Sequence, residues 1–144
     1  MVNPANADVL LRYHFLTPPE AVFDAWLKPE LIRKWLFVGP ASEIVSVELD
    51  PTEKGKFSIV ELDKQTNTRI DHHGEYIVIY RPHELMFRLF VPEKFPGESV
   101  VNVKIKTDGK GCELTLTQTA EATGITEASW KKMLEQLKLS LEIW

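Results

Sequence analysis

The hydrophobic pattern of the chain changes near Ile125, from a period of two to the period of a helix. Beyond this point apolar residues recur every three or four positions, and charged residues occupy most positions between them. Over the segment Ile125 to Trp144 the apolar stripe consists of Trp130, Met133, Leu134, Leu137, Leu141 and Trp144. Because a helix with one apolar face must bury that face, the segment predicts a long C-terminal helix packed on another layer.

The chain before this helix alternates apolar and polar residues, which is typical of strands with one buried face. The alternating segments are Val9 to Phe15, Glu43 to Leu49, Phe57 to Leu62, Ile70 to Tyr80, Leu85 to Val91, Val101 to Ile105 and Leu114 to Gln118. Short polar turns join them, and Asp108-Gly109-Lys110-Gly111 is typical of a hairpin. These segments predict an antiparallel sheet of about six to seven strands.

Two short helices are predicted between the first strand and the second. Thr17 is a candidate N-cap, and the two prolines that follow it suit a first helical turn. Pro19 to Leu27 forms the first helix, Pro29 interrupts it, and Glu30 to Leu36 forms the second. The order β-α-α-β₆-α predicts one α+β domain over residues 1–144.

Composition narrows the classes of function that need to be considered. A net charge of −4 disfavours a surface that follows nucleic-acid phosphates. No apolar run reaches the roughly 20 residues that cross a bilayer, so membrane insertion is not expected. The first residues lack the features of a secretion signal, so a cytoplasmic location is expected. Cys112 is the only cysteine and is expected to be half-buried and unreactive.

Several local motifs carry a family resemblance. They are Pro18 to Trp26, Pro29-Glu30-Leu31, Arg33-Lys34-Trp35, Gly74-Glu75-Tyr76 and Arg81 to Phe87. With the order of elements, they resemble the START-like (SRPBCC) superfamily, in the branch similar to the C-terminal domain of the activator of Hsp90 ATPase. Lys54-Gly55, Cys112 and Ser129 depart from the residues common in relatives.

The resemblance implies a helix-grip fold, in which a curved antiparallel sheet and a long helix enclose an elongated pocket. Relatives use this pocket for lipids, polyketides and other apolar molecules, so fold alone does not name one function. The residues expected to line it are Trp35, Phe37, Tyr76, Phe87, Leu89, Trp130, Met133, Leu134 and Leu137, with Gln118 as a polar anchor. Plain core packing is the alternative for these side chains.

Titratable residues give no recognisable catalytic or metal-binding motif. In Asp71-His72-His73 the two histidines point to opposite faces of a strand, so they cannot easily share one ion, and no metal or cofactor is expected. His14 and His83 lack a partner at catalytic spacing. Glu48, Glu61 and Glu75 are expected on solvated faces, although any of them could act as an acid or base if it faced a cavity.

Three functions remain open at this point. The first is the binding of a small hydrophobic or aromatic molecule, such as a lipid or polyketide, between the sheet and the C-terminal helix. The second is a co-chaperone or other protein-interaction role of the Hsp90 type, which the resemblance suggests. The third is a cyclase-like or hydrolase-like enzyme, which would need a titratable group of strongly perturbed pKa inside the pocket.

Overall fold

The computed structural model describes residues 8–120 and 124–142. In chain order, the elements are β1 (Val9–Phe15), α1 (Pro19–Asp24), α2 (Pro29–Ile32), β2 (Ser42–Leu49), β3 (Lys56–Asp63), β4 (Thr68–Tyr80), β5 (Glu84–Phe90), β6 (Ser99–Asp108), β7 (Gly111–Ala120) and α3 (Glu127–Glu142). The predicted α+β class and the predicted order of elements are confirmed.

The strands form one sheet in the order β1-β7-β6-β5-β4-β3-β2, and every neighbouring pair is antiparallel. The chain therefore crosses from one edge to the other through α1 and α2, and then returns strand by strand to β1. The register shifts between Ile44 and Ser46 and between Tyr76 and Val78. Bulges of this kind bend a strand and increase its twist, which favours a sheet that curves around a helix.

Helix α3 packs its apolar stripe on the sheet. Trp130, Met133, Leu134 and Leu137 are buried, and they belong to the same core cluster as the inward side chains of the strands. The C-terminal half of the helix lies beside β1, where Lys138 Nζ donates to the His14 carbonyl at 3.4 Å. The carboxylate of Glu142 accepts from the Leu16 amide at 2.7 Å. This is the helix-grip arrangement, with one long helix held across the sheet.

The helices are shorter than the sequence predicted. Helix α1 ends at Asp24 and α2 at Ile32, and turns continue from there to Phe37. The left-handed backbone of Phe37, with φ of 63°, is incompatible with a continuing helix. Helix α3 begins after Ile125 because the Thr126 hydroxyl accepts from the Ser129 amide at 3.1 Å, which is an N-cap. Trp144, which the sequence placed on the stripe, lies outside the described residues.

Two local predictions were wrong. Thr17 does not cap α1, because the N-cap is Pro18, and the Thr17 hydroxyl is buried without a partner among the described residues. Cys112 is fully buried rather than half-buried, since it pairs with Phe15 across β1 and β7 on the core side. Burial raises the pKa of the Cys112 thiol to about 11, so the thiol stays protonated at neutral pH.

Two of the motifs that carried the family resemblance are joined directly. The guanidinium of Arg81, after β4, donates from Nε and Nη2 to the two carboxylate oxygens of Asp24, each at 2.9 Å. These hydrogen bonds hold the pKa of Asp24 below its usual range. The pair fixes the end of α1 against the β4–β5 turn, and therefore helps to place the chain that leads into α2.

The packing of α3 generates a stability prediction. Leu134→Ala should lower the free energy of unfolding by about 2–5 kcal/mol, because Leu134 is fully buried and its removal leaves a cavity. Leu139→Ala, on the exposed side of the same helix, should change it by less than about 0.5 kcal/mol. Denaturant unfolding of both variants tests this. Equal losses would contradict the position of α3 on the sheet.

Candidate ligand-binding site

A cavity of about 550 Å³ lies between α3 and the sheet, near the N-terminal end of the helix. Its walls come from the segment after α2, from β3 and β4, from the loop after β5 and from the start of α3. The apolar part of the wall consists of Phe37, Val38, Phe95, Ile125 and Met133. The volume falls within the range of about 300–1,000 Å³ that is usual for small-molecule sites.

The mouth of the cavity is polar and carries positive charge. Exposed residues at the lining are Pro40, Lys94, Thr126, Ser129 and Lys132. The hydroxyl of Thr126 donates to that of Ser129 at 3.0 Å, so these two groups are engaged with each other at the first turn of α3. The two lysines leave the mouth with a net positive charge of its own, in a chain whose overall charge is negative.

Two buried polar side chains, Glu61 on β3 and His72 on β4, line the inner wall. We call this pair the polar floor. Glu61 is 8% exposed and His72 is 4% exposed. Nδ1 of His72 lies 3.3 Å from the Ile59 carbonyl, and Nε2 lies 3.7 Å from Oε1 of Glu61. A carbonyl oxygen only accepts, so the first contact places the proton of the neutral ring on Nδ1.

Burial keeps His72 uncharged at neutral pH. Desolvation is the main cause that lowers its pKa to about 4, and the positive charge of Lys94 acts in the same direction. The hydrogen bond to Ile59 and the negative charge of Asp71 oppose this shift but do not overcome it. His72 and Glu61 are therefore close neighbours at pH 7 without being an ion pair.

Phe37 holds one side of the cavity in an unusual backbone conformation. Its φ of 63° is in the left-handed region, which is costly for a bulky residue. Its ring stacks on that of His72, with centroids 4.3 Å apart and planes 5° from parallel. Its amide donates to Sδ of Met133 at 3.1 Å. These contacts with β4 and α3 hold the strained residue, and they fix the ring beside the polar floor.

The structure brings only part of the predicted pocket set to this cavity. Phe37 and Met133 line it, and Phe37 also borders a void of about 10 Å³ deeper in the core. Tyr76 and Phe87 line that void, which has room for about one water. Phe37 therefore stands between the open cavity and these two predicted residues.

The remaining predicted residues are packed in the core. Trp35, Leu89, Trp130, Leu134 and Leu137 are buried in the same apolar cluster. The indole of Trp35 donates to the Ala25 carbonyl at 3.0 Å, and its ring meets that of Trp26 edge to face.

Gln118 uses both ends of its amide inside the protein. Its Oε1 accepts from the indole of Trp130 at 3.0 Å, and its Nε2 donates to the Ile125 carbonyl at 2.7 Å. The amide thus ties β7 to the start of α3.

The polar floor was the main feature that sequence reasoning missed. Glu61 does not lie on a solvated face, because its strand directs it inward together with Phe57 and Ile59. His72 likewise shares the inward face of β4 with Ile70 and Tyr76. Strict alternation in both strands was the available signal.

The other titratable candidates lie elsewhere. His73 points away from the core, as alternation along β4 predicts, and Glu48, His14 and His83 are exposed. Glu75 is half-buried on the same outward face of β4 as His73. Within residues 8–120 and 124–142, no three His, Cys, Asp or Glu side chains come together as a metal site would require.

The comparisons with known proteins agree with this architecture. The family model described as Activator of Hsp90 ATPase homolog 1-like protein matches residues 16–142. The chain belongs to this family. No curated protein sequence matches the chain. In the described part of this family member, no helix has the length and apolar character needed to cross a membrane.

Solved structures reproduce the fold at low sequence identity. A crystal structure of a protein from Chromobacterium violaceum has a TM-score of 0.85 at 21% identity, covering 96% of this chain and 98% of its own. One from Nitrosomonas europaea has a TM-score of 0.79 at 18% identity, with coverage of 99% and 98%. The solution structure of an AHSA1-like protein from Aeromonas hydrophila has 0.79 at 21%, with coverage of 93% and 91%. At these identities, the likeness establishes the fold alone.

The buried neutral His72 generates a prediction on pH dependence. Between pH 6.5, the ordinary pKa of histidine, and about pH 4, the unfolded chain binds a proton at this position that the native protein does not. The free energy of unfolding should therefore be highest above pH 6.5. It should fall by about 3 kcal/mol in total as the pH is lowered to about 4.

Urea unfolding of the wild type and of His72→Gln over this pH range measures the effect. The variant should lose this part of the pH dependence, whereas His14→Gln, which leaves His72 in place, should retain it. Parallel profiles for the wild type and His72→Gln would show that His72 is not buried in its neutral form.

Proposed function

We propose that the protein binds one small apolar or aromatic molecule in the cavity at the N-terminal end of α3. The observation that carries the proposal is the cavity itself, which is open beside the buried core cluster. Burial of an apolar body against Phe37, Val38 and Met133 would supply most of the affinity, at about 25 cal/mol per Å² of apolar area removed from water. The polar floor would orient the ligand.

The helix-grip fold of the family is consistent with this proposal. A cavity of about 550 Å³ has room for a bicyclic or tricyclic aromatic molecule or a medium-length acyl chain. Charge also fits, because the lysines at the mouth can pair with an acidic group that remains near solvent.

The co-chaperone alternative rests on the family description, which mentions the Hsp90 ATPase. The large apolar residues described as exposed, Leu10, Leu16, Tyr80 and Leu139, belong to three different elements and one turn. Single exposed apolar residues of this kind are normal on a surface and do not define an interface. The cavity is the stronger basis for a proposal.

The catalytic alternative is favoured by one observation, the neutral imidazole of His72 beside the carboxyl group of Glu61 at the cavity wall. Such a pair could accept a proton from a bound substrate if the substrate presented one within hydrogen-bond reach. Incubation with each bound ligand, followed by mass spectrometry, separates the two functions. A product of changed mass means catalysis, and recovery of the ligand unchanged means binding.

Filling the cavity should abolish binding. A panel of fatty acids and aromatic polyketides should include ligands that raise the melting temperature of the wild type by about 4 °C or more at tenfold excess over Kd. Val38→Trp places a large ring at a half-buried position of the wall, so it should remove this shift. Thermal unfolding followed by circular dichroism measures both.

Val100→Trp is the matched control, because Val100 is half-buried and lies on the opposite side of β6 from buried Val101. This variant should keep the ligand-induced shift. If no member of the panel stabilises the wild type, or if Val38→Trp binds as well as the wild type, then the cavity is not a binding site.

A further inference from the structure

The two side chains of the polar floor face the cavity as hydrogen-bond acceptors. Nδ1 of His72 is committed as a donor to the Ile59 carbonyl, so Nε2 carries only a lone pair. The carboxylate of Glu61, when ionised, has acceptor sites alone. The 3.7 Å between Nε2 and Oε1 is beyond hydrogen-bond range, so the two groups do not satisfy each other.

No other described side chain supplies the missing donor. Among residues 8–120 and 124–142, no backbone or side-chain group donates a hydrogen bond to Nε2 of His72 or to the carboxyl oxygens of Glu61. Both residues are more than nine-tenths buried and both line the cavity. Both groups open onto the cavity, so a ligand that excludes water from them without supplying a donor should lose about 1–3 kcal/mol for each acceptor left unpaired.

We infer that the ligand of this cavity carries a neutral hydrogen-bond donor, a phenolic or alcoholic hydroxyl or a ring N–H, which it places between His72 Nε2 and Glu61 Oε1. This inference rests on the proposed function and names the chemical class of its ligand. A donor between two acceptors 3.7 Å apart can approach both at once. Its apolar body then lies against Phe37 and Met133.

A neutral donor suits the site better than a cation. Lys94 lines the same cavity, and its positive charge acts on His72, which lies in the polar floor. An ammonium group at the polar floor would be attracted by the carboxylate of Glu61 and repelled by Lys94, and it would lose its hydration on burial. A hydroxyl or ring N–H supplies the same donor without the cost of dehydrating a charge.

The ring of Phe37 also favours a ligand of flat, aromatic shape. It stacks face to face on that of His72 and also lines the cavity, so it provides a flat apolar surface beside the polar floor. A flat aromatic ring bearing the donor at its edge can lie along this surface while the donor reaches the floor. Aromatic hydroxyl compounds and indole-type heterocycles therefore fit the site best.

A matched pair of probes tests the inference. Naphthol and its methyl ether have the same ring system, but only naphthol donates a hydrogen bond. Calorimetric titration of the full chain at neutral pH should give naphthol an affinity on the order of tenfold higher than that of the ether. The naphthylmethylammonium cation should bind more weakly than naphthol.

Variants locate the selectivity at the polar floor. Glu61→Gln keeps the shape and supplies an amide N–H that can donate to His72, so the preference for naphthol should fall to about twofold or less. His72→Phe, which removes the other acceptor and keeps a ring against Phe37, should also reduce it. Glu48→Gln makes the same charge change at an exposed position of β2 and should retain the full preference.

The outcomes separate this inference from the proposed function. Equal binding of naphthol and its ether by the wild type would overturn the donor assignment while the cavity remains a binding site. A preference that survives both Glu61→Gln and His72→Phe would overturn it as well, and so would tighter binding of the cation. If neither naphthol nor its ether binds, the donor assignment fails, and the wider ligand panel then decides whether the cavity function stands.

Discussion

The indole of Trp130 is the point at which the long helix, the sheet and the short helical pair meet. Its N–H donates to Gln118 on β7, and its ring lies within 6.2 Å of those of Trp26 and Phe37, measured between centroids. Gln118 also binds the carbonyl of Ile125, just before α3 begins. A buried amide that is bonded at both ends in this way fixes position strongly, because a shift of the helix would leave polar groups unsatisfied.

The cavity follows from that anchoring. Beyond Met133 the helix runs over apolar strands towards β1, with Leu134 and Leu137 buried against them. On the other side of the anchor, the helix start, the segment after α2 and the inner ends of β3 and β4 enclose space instead of filling it. Phe37 makes this possible, since its left-handed backbone turns the chain and lays its ring on His72 rather than into the cavity. A packed core and a binding space thus coexist in a small domain.

Much of this architecture could be predicted from sequence, because the periods of two and 3.6 directly reflect which side chains are buried. The early end of α2 at Ile32 could not, because the turns that follow it lead to a left-handed Phe37, whose position depends on the tertiary contact with Met133. Gln118 was expected as a polar anchor for a ligand, and in the structure both ends of its amide are bonded within the protein. The alternation of apolar and polar residues in β3 indicates which face of the strand carries Glu61. It does not show that this side chain lines a cavity, because the other walls come from elements distant in sequence.

The central claim is that an apolar ligand occupies the cavity beside Met133, and methyl NMR of the methionines tests it most directly. Met133 lines the cavity, whereas Met86 lies outside the core cluster, between inward-facing Leu85 and Phe87 on β5. On titration with a bound aromatic ligand, ring currents should shift the Met133 methyl resonance strongly and leave that of Met86 in place. A ligand that binds without moving the Met133 resonance, or that moves only Met86, would contradict the account.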